Sequence, residues 1–517
     1  MRNYIPQTDT DIDFDKLVEI ADPKTKVIPS IPLKLRDDAK RKPKQVIKPA
    51  ENAGRKSPPS ADEKASASEK SQPSADEKPS GSKSNISQPL KRFKSPHSKS
   101  GASTVTVFAQ ILTYVKLINF KKIVAKFKSD KYSKSFNSWS HLVTMIFAQL
   151  SGASSLRELV YGLNLAAGSL FQLGMRKPPS RSNLSDINSK RPWTFFKDVF
   201  MELQHQLTSL MNITGGFRKK FKFKNKLFSL DSSIISLSLE VYDWVKYKAT
   251  KGAVKLHCLL DHDTYLPYFA VITPGKKADI TIAQSINFPK EAIIVMDRGY
   301  VKFDFFYKLT TQGTYFVSRI KDNVLFKVIK SIPVPNPPGR PKQFEDYSTD
   351  SAKPHVTRDE YIVLTMPKST DAYPDKLRLV TAIVKDERTH ELMQMSFITN
   401  IFHLSASTIA AIYKDRWAIE SFFRKIKQNL KIKTFLGTSR NAVHIQIWTA
   451  LITVLLLEYL KYLSKINWHI SHLAYVIRLS LHTYVNLNEL IDKPERFNEL
   501  YNAQHDDPDE FVLRPLF

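Results

Sequence analysis

One short stretch constrains the fold more than any other. Residues 292 to 297 read AIIVMD, a continuous apolar run that is too short for a helix and suits a strand buried on both faces. It ends on Asp297 just before the sharp turn Arg298-Gly299-Tyr300. Around it lie further strand-like segments: LFSLDSSIISLSL, VKLHCLLDHD, LPYFAVITPG and TYFVSRI, with a helix predicted over Phe303 to Thr311. Three strands in a row followed by helix, strand, helix, strand predict a mixed sheet with helical cover, an α/β unit.

The flanks differ in kind. Residues 1 to 100 hold 12 of the 29 prolines, only three aromatics (Tyr4, Phe14, Phe93), and the repeat PSADEK at Pro59 and again at Pro73. Such a composition cannot build a packed core. Segments 106 to 128, 137 to 150, 154 to 164 and 193 to 212 carry the amphipathic pattern of helices. Within them the break SGASS (151 to 155) permits a tight turn, and its serines can cap the helix that follows; a helix-turn-helix and a plain helical hairpin both fit. From Lys321 to Asn400 short strands alternate with proline-rich turns such as PVPNPPGRPK, a β-rich insertion, and helices return over Ser405 to Ile432 and Ala442 to Leu463.

Charge and cysteine bound the chemistry. With 78 basic against 50 acidic side chains the chain carries +28, which points to a polyanionic partner. RKKFKFKNK (218 to 226) and Lys116 to Lys134 suit sequence-independent phosphate contacts, or a solvated face. The single cysteine, Cys258, excludes a disulfide framework and cysteine-based zinc sites. The uncharged run Ile447 to Leu457 is too short to span a bilayer, so it reads as a core helix of a soluble, intracellular protein. No Gly-rich phosphate loop is present.

Three carboxylates stand out. Asp297 ends a buried strand, where α/β chemistry gathers, although a turn-forming or helix-capping role fits it as well. Asp231 lies in the first strand and Glu420 on IYKDRWAIESFFRKIKQ; alone, each also fits a solvated charge. At about 100° per residue, Tyr413, Arg416, Glu420 and Lys427 share one stripe of a continuous helix beside an apolar stripe of Ile412, Ile419, Phe423 and Ile426. A carboxylate among cations suits a phosphate backbone approaching a metal ligand.

The spacing Tyr413, Arg416, Glu420, Lys427, together with DSS at 231, KLHCLLDHDTYLPYFAVITPG, DRG at 297 and RWAIE at 416, resembles the Tyr-Arg-Glu-Lys signature of DDE cut-and-paste transposases from bacterial insertion sequences. The likeness covers about residues 104 to 465, and a long insertion between the second Asp and the Glu, 123 positions apart here, also occurs in that family. Lys277-Ala278-Asp279 departs from relatives that have His before the Asp, which leaves an accessory role for that loop in doubt.

The resemblance implies a ribonuclease-H-like α/β core interrupted by the β-rich insertion. It implies a disordered tail over 1–103, a helical DNA-binding domain over 104–222, a catalytic domain over 223–320 and 401–485, the insertion over 321–400 and a C-terminal tail over 486–517. Asp231, Asp297 and Glu420 would be catalytic and bind two Mg²⁺ ions, with Mn²⁺ able to substitute. Tyr413, Arg416 and Lys427 would hold terminal phosphates. Trp417 would stack on a displaced base or serve as a buried anchor. Lys255 and His257 would face the site, His257 fitting a satisfied core histidine better. The implied partners are double-stranded DNA, both terminal inverted repeats and target, and a second copy in a homodimer; no membrane is implied, and the location is cytoplasmic, on the nucleoid. A DNA-binding descendant that no longer cuts and a structure-specific nuclease remain as alternatives.

Overall fold

Several helix starts in this chain are set by side chains that satisfy orphan amides. The computed structural model describes residues 103–133, 135–213, 220–237, 252–334, 354–385, 391–430 and 435–495. The expectations for the head, for Gly215-Gly216 and for most of the turn PVPNPPGRPK lie outside these residues, as does the tail from 496. Helix α1 (Val107–Val115) starts at Thr106, which caps Ala109 N–H, and α2 (Phe120–Phe127) starts at Asn119, which caps Lys122 N–H. The single helix expected over 106 to 128 is therefore two, because the Asn119 side chain opens a second helix. Helix α3 (Ser138–Ser151) ends at Gly152 with φ 74°, and Ser155 caps α4 (Leu156–Leu165) through Glu158 N–H at 3.2 Å. That is the turn read from SGASS. Helix α5 (Arg181–Lys190), polar on most of its surface, was not legible; α6 (Trp193–Ile213) was.

The strands are β1 (Leu227–Leu237), β2 (Gly252–Asp261), β3 (Pro267–Pro274), β4 (Ile293–Met296) and β5 (Tyr315–Arg319), with α7 (Asp279–Ser285) and α8 (Phe303–Thr311) between the last three. Then follow β6 (Phe326–Ser331), β7 (His355–Leu364), α9 (Pro367–Ala372), β8 (Leu377–Lys385) and β9 (Leu392–Thr399). Helices α10 (Ala406–Asp415), α11 (Trp417–Asn429), α12 (Arg440–Leu463), α13 (Ile470–Ser480) and α14 (Leu487–Asp492) follow.

Among the described residues the nine strands form one sheet in the order β3-β2-β1-β4-β5-β9-β8-β7-β6. Strands β1, β4 and β5 are mutually parallel and the other pairings antiparallel. The first five, with their helices, form a mixed sheet consistent with the ribonuclease-H-like core that the resemblance implies. The β-rich stretch is not a separate layer: β9 pairs with β5 through Val317 to Arg319, so β6 to β9 lengthen the same sheet.

Alternation along the strands divides the core. Phe228, Leu230, Ile294 and Met296 face α8 through Phe305 and Phe306. Leu227, Ile293 and Val295 face the other way, onto Ile409, Ile412 and Tyr413 of α10. Farther along, the β2–β3 end of the sheet packs through Leu256, Cys258 and Ile272 into one core with α1 to α6, α11, α12 and α13, so this core runs across residue 222. Asn441 clasps the α5–α6 junction, accepting from Trp193 N–H at 3.0 Å and donating to Asn188 and Arg191 carbonyls. Helix α12 is long and apolar enough to cross a membrane, but its whole apolar window is buried inside this fold, so it is a core helix here.

Candidate active site

The register of two parallel strands builds the centre of the site. Pairing of Leu227 through Leu230 with Ile293 through Met296 leaves Asp231 and Asp297 as the next neighbours on adjacent strands. Strand β1 is buried through Leu230 and opens at Asp231. By the same alternation, Asp231 and Asp297 point to the α10 side of the sheet. Since β1 runs between β2 and β4, Asp231 is not on a sheet edge. Asp297 precedes a one-turn 3₁₀ helix, Arg298–Tyr300, but its side chain caps nothing there, so its carboxylate is not used up by the turn.

The third carboxylate comes from the helical cover. Glu420 lies one turn into α11, and Arg416 Nη2 donates to its Oε1 at 2.7 Å. The continuous helix expected over Ser405 to Ile432 is interrupted at Arg416. There the amide of Arg416 bonds the Tyr413 carbonyl and the amide of Ile419 bonds the Arg416 carbonyl, both three residues back, so the ladder tightens into a 3₁₀-like turn without proline or glycine. Tyr413 is buried against the Phe397 ring at 4.5 Å, and the Arg416 guanidinium sits 5.6 Å from the Tyr413 ring centroid. Trp417 opens α11 half-buried. Lys427, also half-buried, lies about 10 Å farther along that helix from Glu420.

Electrostatics ties these groups together. Burial pushes the Asp231 carboxyl up to about 6; the charges of Glu420 and Asp297 push the same way, against the Ser232 amide bond at 2.8 Å and the Arg416 charge. Burial would lower Arg416, but Tyr413, Glu420 and Asp297 outweigh it and hold the guanidinium above its usual value. Arg416 Nε is buried with no hydrogen-bond partner. Tyr413 is raised by burial and by Asp297, against Arg416. The structure thus brings Asp231, Asp297, Glu420, Arg416 and Tyr413 into one electrostatic neighbourhood.

Asp279 was missed as a site residue. It opens α7, accepts from Ser232 Oγ at 2.7 Å and pairs with Lys255 Nζ at 3.0 Å, and Ser232 is the residue that follows Asp231 on β1. The available signal was Lys255, a lysine in a strand buried along its length that needs a counterion. His257 is a core histidine: Nε2 meets Thr273 Oγ1 at 2.8 Å, and burial lowers its pKa to about 4. At neutral pH it is uncharged, so its 3.6 Å approach to Asp279 is no ion pair. In RKKFKFKNK, Lys220 is bound to Asp415, Lys226 lies 3.2 Å from Asp263, and Phe221 and Phe223 stack on each other and pack on the core, so part of that stretch is structural. An apolar cavity of about 360 Å³ lined by Trp193, Ile272 and Trp448 includes none of the carboxylates.

The donor set fits a hard divalent cation, being oxygen only and mutually repulsive in one half-buried spot. Among the described residues, however, no group of three or more His, Cys, Asp or Glu is disposed to hold a metal ion as it stands. Glu420 is engaged with Arg416 instead.

Comparison with known proteins agrees with this architecture. Residues 222–456 match the family model described as Transposase DDE domain, and residues 103–176 match a domain of unknown function, DUF4372. The chain is 28% identical over 335 residues to a protein named as the transposase for insertion sequence element IS5377 of Geobacillus stearothermophilus, covering 63% of this chain and 82% of that protein. It is 29% identical over 289 residues to the transposase y4zB of Sinorhizobium fredii, covering 56% and 74%. A solved piggyBac transposase synaptic complex with hairpin DNA aligns with 10% identity over 77% of this chain and 84% of that one; its TM-score of 0.30 carries no argument.

Proposed function

Because this chain carries a transposase DDE domain and resembles the transposases of bacterial insertion sequences, we propose that it binds the ends of a mobile element and cuts and rejoins DNA at Asp231, Asp297 and Glu420. The observation that carries the reading is that Asp231 and Asp297 come next to each other just past the last paired residues of β1 and β4, Leu230 and Met296, where burial and the charges of Asp297 and Glu420 push the Asp231 carboxyl up to about 6. A fold keeps such repulsion only where something else compensates it.

Asp231, Asp297 and Glu420 would hold two divalent ions, Mg²⁺ or in its place Mn²⁺. Bound there, the ions supply activation of a water or a DNA 3′-hydroxyl and stabilisation of the leaving oxygen. The protein's own part is positional. Arg416 shields Glu420 until DNA arrives, then turns its guanidinium to a phosphate and frees the carboxylate. Tyr413 fixes the plane on which Arg416 rests, Lys427 meets the backbone farther along, and Trp417 stacks on an unpaired base. The helices of 104–222 contact DNA next to the catalytic parts, 223–320 and 401–485, with 321–400 as the insertion. Two copies hold the two ends, in the cytoplasm on the nucleoid.

A non-cutting descendant is favoured by one observation, the Arg416–Glu420 ion pair that occupies the third carboxylate. The deciding experiment uses purified chain and duplex DNA carrying the element's end, with binding measured in chelator and cleavage with Mg²⁺. Glu420→Gln should lose cleavage and keep end binding. Cleavage near the parent rate by that variant would overturn the reading, and a parent that binds without cutting would favour the descendant.

A further inference from the structure

Beside the acidic cluster lies a second polar chain that this chemistry does not use. Ser229 Oγ and His262 Nε2 are 2.6 Å apart, and His262 Nδ1 lies 2.6 Å from Asp415 Oδ2. Lys220 closes the chain on the other oxygen of Asp415, and the His262 amide donates to the Leu227 carbonyl at 3.0 Å. All three central residues are buried: Ser229 is 0% exposed, His262 8% and Asp415 8%. The order of atoms is that of a serine hydrolase triad, but a serine with no exposure meets no substrate, so it is not a nucleophile here. The carboxylate only accepts, hence Nδ1 carries a proton and donates it to Asp415.

What the chain connects is more telling. Ser229 sits two residues before Asp231 on the same side of β1, and Asp415 immediately precedes Arg416 at the tightened turn between α10 and α11. A buried network of this kind is costly where apolar packing would serve, which points to a role in fixing one geometry. We propose that Ser229, His262, Asp415 and Lys220 are positioning residues: a brace that sets the α10–α11 turn against β1 and so holds Arg416 and Glu420 at the distance from Asp231 that a shared cation requires. The apolar packing that otherwise holds the two helices to the sheet, Ile412 and Tyr413 on one side of the turn and Ile419 and Phe423 on the other, tolerates sliding. This inference rests on the reading that Glu420 is a metal ligand.

The test compares His262→Ala, His262→Asn and Ser229→Ala with the parent and with Glu420→Gln. Asparagine keeps an N–H near the place of Nδ1 and so keeps the bond to Asp415. In metal-free protein, amide hydrogen exchange over residues 413 to 420 should rise on the order of tenfold in His262→Ala, less in Ser229→Ala, and return toward parent in His262→Asn. The Mg²⁺ concentration giving half-maximal thermal stabilisation, and half-maximal cleavage, should rise on the order of tenfold in the same ranking, with end binding in chelator retained. If His262→Ala does not fold, Ser229→Ala against His262→Asn decides on the same readouts. Unchanged exchange at the turn and an unchanged Mg²⁺ requirement in a folded variant would overturn the brace. If Glu420→Gln still cuts, the metal-ligand reading fails by itself, while exchange at the turn reports on the brace independently.

Discussion

Two carboxylates on the same side of the sheet, Asp415 and Asp231, are treated oppositely by the fold. Burial alone would raise Asp415, but the bonds from His262 and Lys220 outweigh it and hold the carboxyl below its usual range. Asp231 has one backbone amide and the shared charge of Arg416, faces two other carboxylates, and is raised to about 6. The first is a structural acid supplied with partners by the protein itself. The second is left in deficit, and uncompensated negative charge in a half-buried spot is what a bound cation would neutralise. The difference lies in partners rather than depth, so changing partners should convert one kind into the other.

The sharpest break in the comparison is in activity. Asp231→Asn and Glu420→Gln should each lower Mg²⁺-dependent cleavage on the order of 10³-fold, with a cooperative melt preserved, in a single-turnover assay on end-containing DNA. A next smaller effect belongs to the satisfied acid. Asp415→Asn leaves His262 and Lys220 facing a neutral amide and should cost about 3 kcal/mol of folding stability by denaturant titration, an effect that Asp231→Asn should not share.

Asp231→Asn should instead stabilise the chelated protein, and the sign depends on pH. A carboxyl whose folded value is raised favours the folded state fully only below its ordinary value near 4 and loses that contribution as pH rises through about 6. Removing the charge should therefore add about 2 kcal/mol at pH 8 and roughly a third as much at pH 4.5, read from paired denaturation curves. The smallest change is expected at the exposed pair Arg298–Asp322, 3.8 Å apart with both side chains largely in solvent. Asp322→Ala should stay within about 0.5 kcal/mol of the parent in the same titration.

Sequence made much of this legible and left the rest dark for identifiable reasons. AIIVMD became the buried β4, and Phe303 to Thr311 became α8, because each is decided by its own periodicity. Asp297 could be picked out because strand ends in α/β sheets carry chemistry, Asp231 because DSS in the first strand is part of the family resemblance, and the spacing from Tyr413 to Lys427 drew attention to Glu420. The interruptions at Asn119 and Arg416 were missed because amphipathic pattern runs across them. The brace was invisible, since Ser229, His262 and Asp415 are joined over separations of 33 and 153 residues and no local spacing records such pairs. Likewise, the merging of β6 to β9 into the main sheet depends on three residues of β5 meeting β9, a register that propensity does not encode.

The central claim is that the carboxylates in deficit are metal ligands, and a switch of metal preference tests it most directly. Asp231→Cys and Asp297→Cys each replace hard oxygen by a softer sulfur that Mn²⁺ accepts better than Mg²⁺. Single-turnover cleavage of end-containing DNA should then be lost in Mg²⁺ and partly restored in Mn²⁺ for both variants, while Asp415→Cys gains nothing from the change of metal. Equal activity of the parent and both cysteine variants in Mg²⁺, or a loss in Mg²⁺ that Mn²⁺ does not relieve in either, would contradict the account.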